Sequence, residues 1–253
     1  MKEKGKIYFV SDVHLGAPAF KNNHQREMRF ARWLDSINDD VEELYLMGDI
    51  FDFWWEYKKV VPRGFTRILG RIANLTDRGI PVYFFPGNHD LWVFDYLPTE
   101  LGVIVNREQI IKEIRGRKFF LAHGDGLDAE DVGYNRLKKI FTNKTLQWWF
   151  SRLHPNFALY IAHKWSGSSR TSKLNREEEF NVNNDGIYNF ANSYLKQESI
   201  DYFIFGHRHQ MVNVPLSDNS QFVLLGDWIT NFSYGVFDGE KLELKKYNDI
   251  AER

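Results

Sequence analysis

Six short apolar runs recur along this chain: Ile7–Val10, Leu44–Met47, Val82–Phe85, Phe119–Ala122, Tyr202–Phe205 and Phe222–Leu225. Each is too short for a stable helix and is bounded by turn residues, which predicts buried strands. Between them the apolar period lengthens. Phe30, Trp33, Leu34 and Ile37 follow helical spacing, as do Phe65, Ile68, Leu69 and Ile72. Ile187, Phe190, Ala191, Tyr194 and Leu195 predict a further helix, with Asn183, Asn184 or Asp185 as its cap. Strands alternating with helices mean an α/β layered fold. The segment from Asp131 to Lys173 departs from that alternation, with helix-like pieces and little strand character, and reads as an insertion.

Polar residues cluster directly after five of the six runs. Ile7–Val10 leads into Ser11-Asp12-Val13-His14, and Leu44–Met47 into Gly48-Asp49-Ile50-Phe51-Asp52. Val82–Phe85 is followed by Pro86-Gly87-Asn88-His89-Asp90 and Phe119–Ala122 by His123-Gly124-Asp125. Tyr202–Phe205 ends in Gly206-His207-Arg208-His209. Taken singly, each is an ordinary turn or loop. Together they deliver oxygen and nitrogen ligands to one edge of a sheet, where α/β folds place their sites. The chain has no cysteine, so thiolate zinc sites, disulfides and cysteine nucleophiles are excluded. A metal here rests on His, Asp, Glu or Asn, a donor set suited to Mn²⁺, Fe or Zn²⁺ in a reactive site.

D-x-H, G-D-x-x-D, G-N-H-D, H-G-D and G-H-x-H, in this order from Asp12 to His209, resemble the calcineurin-like metallophosphoesterases. That resemblance implies a β-sandwich flanked by helices, with two divalent metals at the strand ends. It implies Asp12, His14, Asp49 and His209 around one metal, and Asp49, Asn88, His123 and His207 around the other, Asp49 bridging. Such a pair acidifies a shared water and clamps both oxygens of an in-line phosphoryl displacement. His89, next to a ligand, is expected to face the substrate as a phosphate contact or proton donor. By analogy with the family, Asp52 orients it.

The charge of the chain is unevenly spread. Its 33 Lys and Arg nearly match 34 Asp and Glu, for a formal net charge of −1. Yet Val132 to Arg176 contains no acid and nine cations: Arg136, Lys138, Lys139, Lys144, Arg152, Lys164, Arg170, Lys173 and Arg176. That leaves 24 cations against 34 acids elsewhere. The same stretch carries Tyr134, Phe141, Trp148, Trp149, Phe150, Phe157, Tyr160 and Trp165. Cations interleaved with apolar groups suit a lipid interface or a groove for a phosphate-bearing lipid. Packing of the aromatics onto the body or a second copy, and single-stranded nucleic acid, are competing readings.

The finer resemblance favours lipid. His123-Gly124-Asp125-Gly126-Leu127, Asp131-Val132-Gly133-Tyr134 and the closing Ser166-Gly167-Ser168-Ser169-Arg170-Thr171-Ser172-Lys173 are similar to the bacterial UDP-2,3-diacylglucosamine pyrophosphohydrolases of lipid A synthesis. That similarity implies hydrolysis to UMP and 2,3-diacylglucosamine 1-phosphate, Mn²⁺ as metal, and peripheral association with the cytoplasmic face of the inner membrane. Nucleic acid is not an expected partner. It also implies an insertion that caps the site and holds the acyl chains, with Asn88, His89, Asp131, Tyr134, Ser169, Arg170, Lys173 and His207 contacting substrate. One departure stands out: the best-known members have Arg after the metal-binding Asn, where this chain has His89. The rivals are a phosphoesterase of another substrate and a non-catalytic, metal-bearing interaction protein. The expected organisation is one domain over 1–253, with the insertion at 131–175. No apolar leader precedes the first strand and no window is long and apolar enough to span a bilayer, so a cytoplasmic protein is expected.

Overall fold

The computed structural model describes residues 5–128, 131–162, 164 and 181–249. Two sheets lie face to face. The first holds β1 (Lys6–Val10), β2 (Val41–Leu46), β3 (Val82–Phe84), β4 (Ile104–Val105), β10 (Ser233–Phe237) and β11 (Leu242–Lys246), in the order β11-β10-β1-β2-β3-β4. The second holds β5 (Ile110–Ile114), β6 (Arg117–Leu121), β7 (Tyr202–Phe205), β8 (Met211–Ser217) and β9 (Ser220–Leu225), in the order β5-β6-β7-β9-β8.

The six apolar runs are continuous because their strands are covered on both faces. Ile7 and Phe9 of β1 point into the sandwich with Tyr45, Phe119, Leu121 and Ile204. Tyr8 and Val10 point the other way, onto α1 (Asn23–Ser36) and α2 (Thr66–Asp77), where Phe30, Trp33, Ile68 and Ile72 are buried. On the second sheet, Phe120, Phe203 and Phe205 face outward to Ile187 and Ala191 of α7 (Gly186–Leu195). The resulting layers are helix, sheet, sheet, helix. A short α3 (Tyr96–Leu101) precedes β4. The segment expected to be an insertion forms α4 (Val132–Thr142), α5 (Lys144–Phe150) and α6, which starts at residue 155 and is described to residue 162.

Several element ends differ from the sequence reading. Phe65 caps α2 instead of opening it, in a left-handed conformation with φ 60°. Ile37 stands just past the end of α1. Of the three candidate caps of α7, Asp185 is the one used: its Oδ1 accepts from Ile187 N (2.9 Å) and Tyr188 N (3.1 Å). Parallel pairing of β1 with β2, β2 with β3, and β6 with β7 aligns the C-terminal ends of these strands. The candidate site is built at those ends.

Candidate active site

The loops leaving β1, β2 and β7 are conformationally strained. Among the described residues, eight non-glycine positions have positive φ, and Asp12, His14, Asp49, His207 and His209 are five of them. Left-handed backbone costs about 1–2 kcal/mol for such residues and persists where the surroundings enforce it. Here it turns successive side chains toward one point. Space is equally tight: a Cβ on Gly48 (φ 94°) would lie 2.3 Å from His123 Nδ1, and one on Gly87 2.2 Å from Asp49 Oδ1. The glycines let three loops converge on Asp49.

The convergence brings the seven expected metal ligands together. Asp12, His14 and His209 offer ligand atoms within 4.8 Å of one another, as do Asp49, His123 and His207. His14 Nε2 lies 3.2 Å from His209 Nε2 and 3.8 Å from Asp49 Oδ2, which links the two groups. His123 Nε2 is 3.5 Å from the same oxygen of Asp49. Asn88 Oδ1 stands 3.0 Å from His207 Nδ1. His89 also falls within 4.8 Å of His14 and Asp49.

These groups have the chemistry of a cation site. Asp12 Oδ1 and His123 Nε2 are buried and find no hydrogen-bond partner among the described residues. An unsatisfied buried carboxylate oxygen and imidazole nitrogen aimed at one another's neighbours call for a positive charge between them. His123 Nδ1 donates to Met47 O at 2.8 Å, which turns Nε2 toward Asp49. Burial alone would lower the His123 pKa, but the Asp49, Asp12 and Asp125 carboxylates push it up to about 10. Burial would likewise lower His209, but Asp12 and Asp227 push it up to about 9. Burial would raise Asp12, yet His209 and His14 hold it well below the carboxylate range. The residues present fit two divalent ions.

His89 sits beside this cluster. Its Nδ1 donates to Asp52 O at 2.9 Å and lies 3.6 Å from Asp52 Oδ1. The same Asp52 oxygen is 3.5 Å from His14 Nδ1, so one buried carboxylate serves two imidazoles. Three supporting residues went unrecognised in the sequence. Asp90, fully buried, accepts from the backbone N–H groups of Asp49, Ile50, Phe51 and Gly87 at 2.7–3.2 Å. Asp227 lies 3.6 Å from His209 Nδ1. Arg26 donates to Val13 O (2.5 Å) and His14 O (3.4 Å), beneath the strained loop. The last residue of Gly87-Asn88-His89-Asp90 hinted at the first; nothing local marked the other two.

A cavity of about 650 Å³ opens from Asn88, His89 and His207 into the insertion, where Leu137, Phe141, Phe150 and Leu153 line it. The insertion aromatics divide. Phe150 packs 4.5 Å from Trp55, and Phe141 5.2 Å from Trp92, between ring centroids. Trp148, Trp149, Phe157 and Tyr160 remain 51–63% exposed. One expectation is corrected in its particulars. Lys138 is not an uncompensated cation: its Nζ lies 2.7 Å from Asp125 Oδ2. Tyr134 and Asp131, expected at the substrate, line the cavity and also hold protein partners. Tyr134 OH donates to Asp125 Oδ2 at 2.5 Å, and Asp131 caps α4 by accepting from Tyr134 N at 2.9 Å. Ser169, Arg170 and Lys173 lie outside the described residues.

The family model for calcineurin-like phosphoesterases matches residues 5–211. A protein of Porphyromonas gingivalis (strain ATCC BAA-308 / W83) named UDP-2,3-diacylglucosamine hydrolase is 38% identical, over 98% of this chain and 99% of its own. One of the same name from Histophilus somni (strain 129Pt) is 30% identical, over 88% of this chain and 92% of its own. Among solved structures, Vacuolar Protein Sorting 29 from Cryptosporidium parvum aligns with a TM-score of 0.45 at 12% identity, covering 97% of this chain and 98% of that one. By the extent of the family match and of the first of these relatives, the chain belongs to the calcineurin-like phosphoesterase family.

Proposed function

We propose that this chain hydrolyses the diphosphate of UDP-2,3-diacylglucosamine, giving UMP and 2,3-diacylglucosamine 1-phosphate in lipid A synthesis. The observation that carries the reading is the cavity, polar at Asn88, His89 and His207 and apolar between the insertion helices. Its volume of about 650 Å³ is in the range of a small-molecule site. A substrate with a phosphate at one end and acyl chains at the other matches that polarity. The names of the relatives support the same substrate.

Asp12, His14 and His209 would hold one divalent ion, Asn88, His123 and His207 the other, with Asp49 between them. Mn²⁺ suits this mixed oxygen and nitrogen, sulfur-free set, with Fe and Zn²⁺ as alternatives. Bound there, the ions supply Lewis acidity to the phosphate and an acidified water. The chain's own residues do the rest. His89 donates Nδ1–H to Asp52 O, and its ring borders the phosphate end of the cavity. Asp52, whose Oδ1 lies 3.6 Å from the same nitrogen, orients the ring, and His89 passes a proton to the departing oxygen. The apolar insertion excludes water from the acyl end of the cavity.

No helix among the described residues is long and apolar enough to cross a membrane. Exposed Trp148, Trp149, Phe157 and Tyr160, in a segment without acids, suit shallow contact with an anionic bilayer. On this reading the enzyme works at the cytoplasmic face of the inner membrane. With Mn²⁺, purified protein is expected to release UMP from UDP-2,3-diacylglucosamine far faster than from UDP-glucose. Equal or faster cleavage of UDP-glucose would reject the lipid substrate.

A further inference from the structure

Between the two imidazoles of Gly206-His207-Arg208-His209 stands a guanidinium that metal binding does not require. Arg208 Nε lies 2.6 Å from Asp185 Oδ2, and Nη2 lies 3.2 Å from Asp128 Oδ2. Asp128 precedes the insertion by three residues, counting to the α4 cap Asp131. Asp185 caps α7, beyond it in sequence. Neither carboxylate is loose. The second oxygen of Asp185 caps α7. Asp128 presses on the start of the same helix, so closely that a Cβ on Gly186 would meet its Cγ at 2.1 Å.

One side chain therefore joins three pieces of chain: the loop bearing His207 and His209, the segment entering the insertion, and the segment leaving it. Arg208 also borders the cavity with His207 and Asp131. Two carboxylates around one guanidinium neutralise its charge, which makes it a poor phosphate clamp and a good structural fork. A lysine would present one point charge to two carboxylates some distance apart.

We propose that Arg208 is a positioning residue that clamps both roots of the insertion to the His207–His209 loop and holds the lipid cavity in register with the phosphate site. The kinetic side of the proposal rests on the lipid reading above; the mechanical side does not.

Arg208→Gln, Asp128→Asn and the double variant test both. In hydrogen–deuterium exchange on the Mn²⁺-loaded chain, the amides of α4 and of the first turn of α7 are expected to exchange roughly tenfold faster in each single variant. KM for UDP-2,3-diacylglucosamine should rise roughly tenfold while kcat changes less than about threefold, and the double variant should be no worse than Arg208→Gln, because both break one clamp. Unchanged exchange in both single variants overturns the proposal whatever the substrate proves to be. A collapse of kcat with normal exchange would make Arg208 a group acting on substrate, and overturns it too. Wild-type protein that releases no UMP would reject the lipid reading and leave the exchange result to decide the clamp.

Discussion

At His123 and His209, burial and facing carboxylates oppose one another, and the carboxylates win. With pKa values pushed up to about 10 and about 9, both rings carry protons at neutral pH while no cation is bound. A divalent ion needs those lone pairs, so it must displace the protons. Mn²⁺ binding followed by calorimetry in buffers of different ionisation enthalpy should report close to two protons released. Affinity should climb by up to about a hundredfold per pH unit between about pH 6 and 9, because both rings are protonated below their raised pKa values. An affinity flat across that range would show that these imidazoles are not ligands. Their identity was legible because each ligand follows an apolar run within a few residues. Asp90 and Arg26 were not, since they act on backbone groups brought near only by folding, Asp90 on Asp49 N and Arg26 on Val13 O.

The insertion helices show how composition can mislead at the next scale. Nine cations without an acid in sequence suggested uncompensated charge. Folding brings Asp125, from outside the segment, against Lys138, while α5 turns Phe150 inward and Trp148 and Trp149 outward. Arg152 lies over the Trp148 ring at 4.6 Å, so a cation and an indole share the exposed tip. Replacing Trp148 and Trp149 by Ala should weaken binding to vesicles containing phosphatidylglycerol by roughly tenfold or more, judged by sedimentation. Lys138→Gln should have a smaller effect there. The reverse order would assign membrane contact to α4 instead. Among the strands, β8 escaped the sequence reading because Val212, Val214 and Leu216 alternate with exposed Asn213, Pro215 and Ser217 and form no continuous apolar run. In β10, Ser233 and Gly235 are silent in a hydropathy pattern, yet both are buried.

For the whole molecule, Phe9 shows where the two sheets are joined. It is fully buried, with ring centroids 4.9 Å from Tyr45 of its own sheet and 5.9 Å from Phe119 of the other. Phe9→Ala leaves a cavity across that seam and should cost about 3–5 kcal/mol in urea unfolding. A loss below about 1 kcal/mol would mean the sheets are held elsewhere. The layered class was readable from strand–helix alternation. The order of strands was not, because no local pattern says that residues near 235 must lie beside residues near 8.

That pairing has a bearing on biosynthesis. β1 lies between β2 and β10, with Ile7 opposite Phe237, and Trp228 N donates to Asp12 O at 3.0 Å. On the ribosome, β1 is made more than 200 residues before the partner for its second edge emerges. Until then the strand leading to Asp12 and His14 exposes a free edge, and His207 and His209 have arrived only shortly before it closes. The first of these candidate ligands to be translated are thus among the last to be secured, so a nascent chain cannot assemble a cation site here until β10 has emerged.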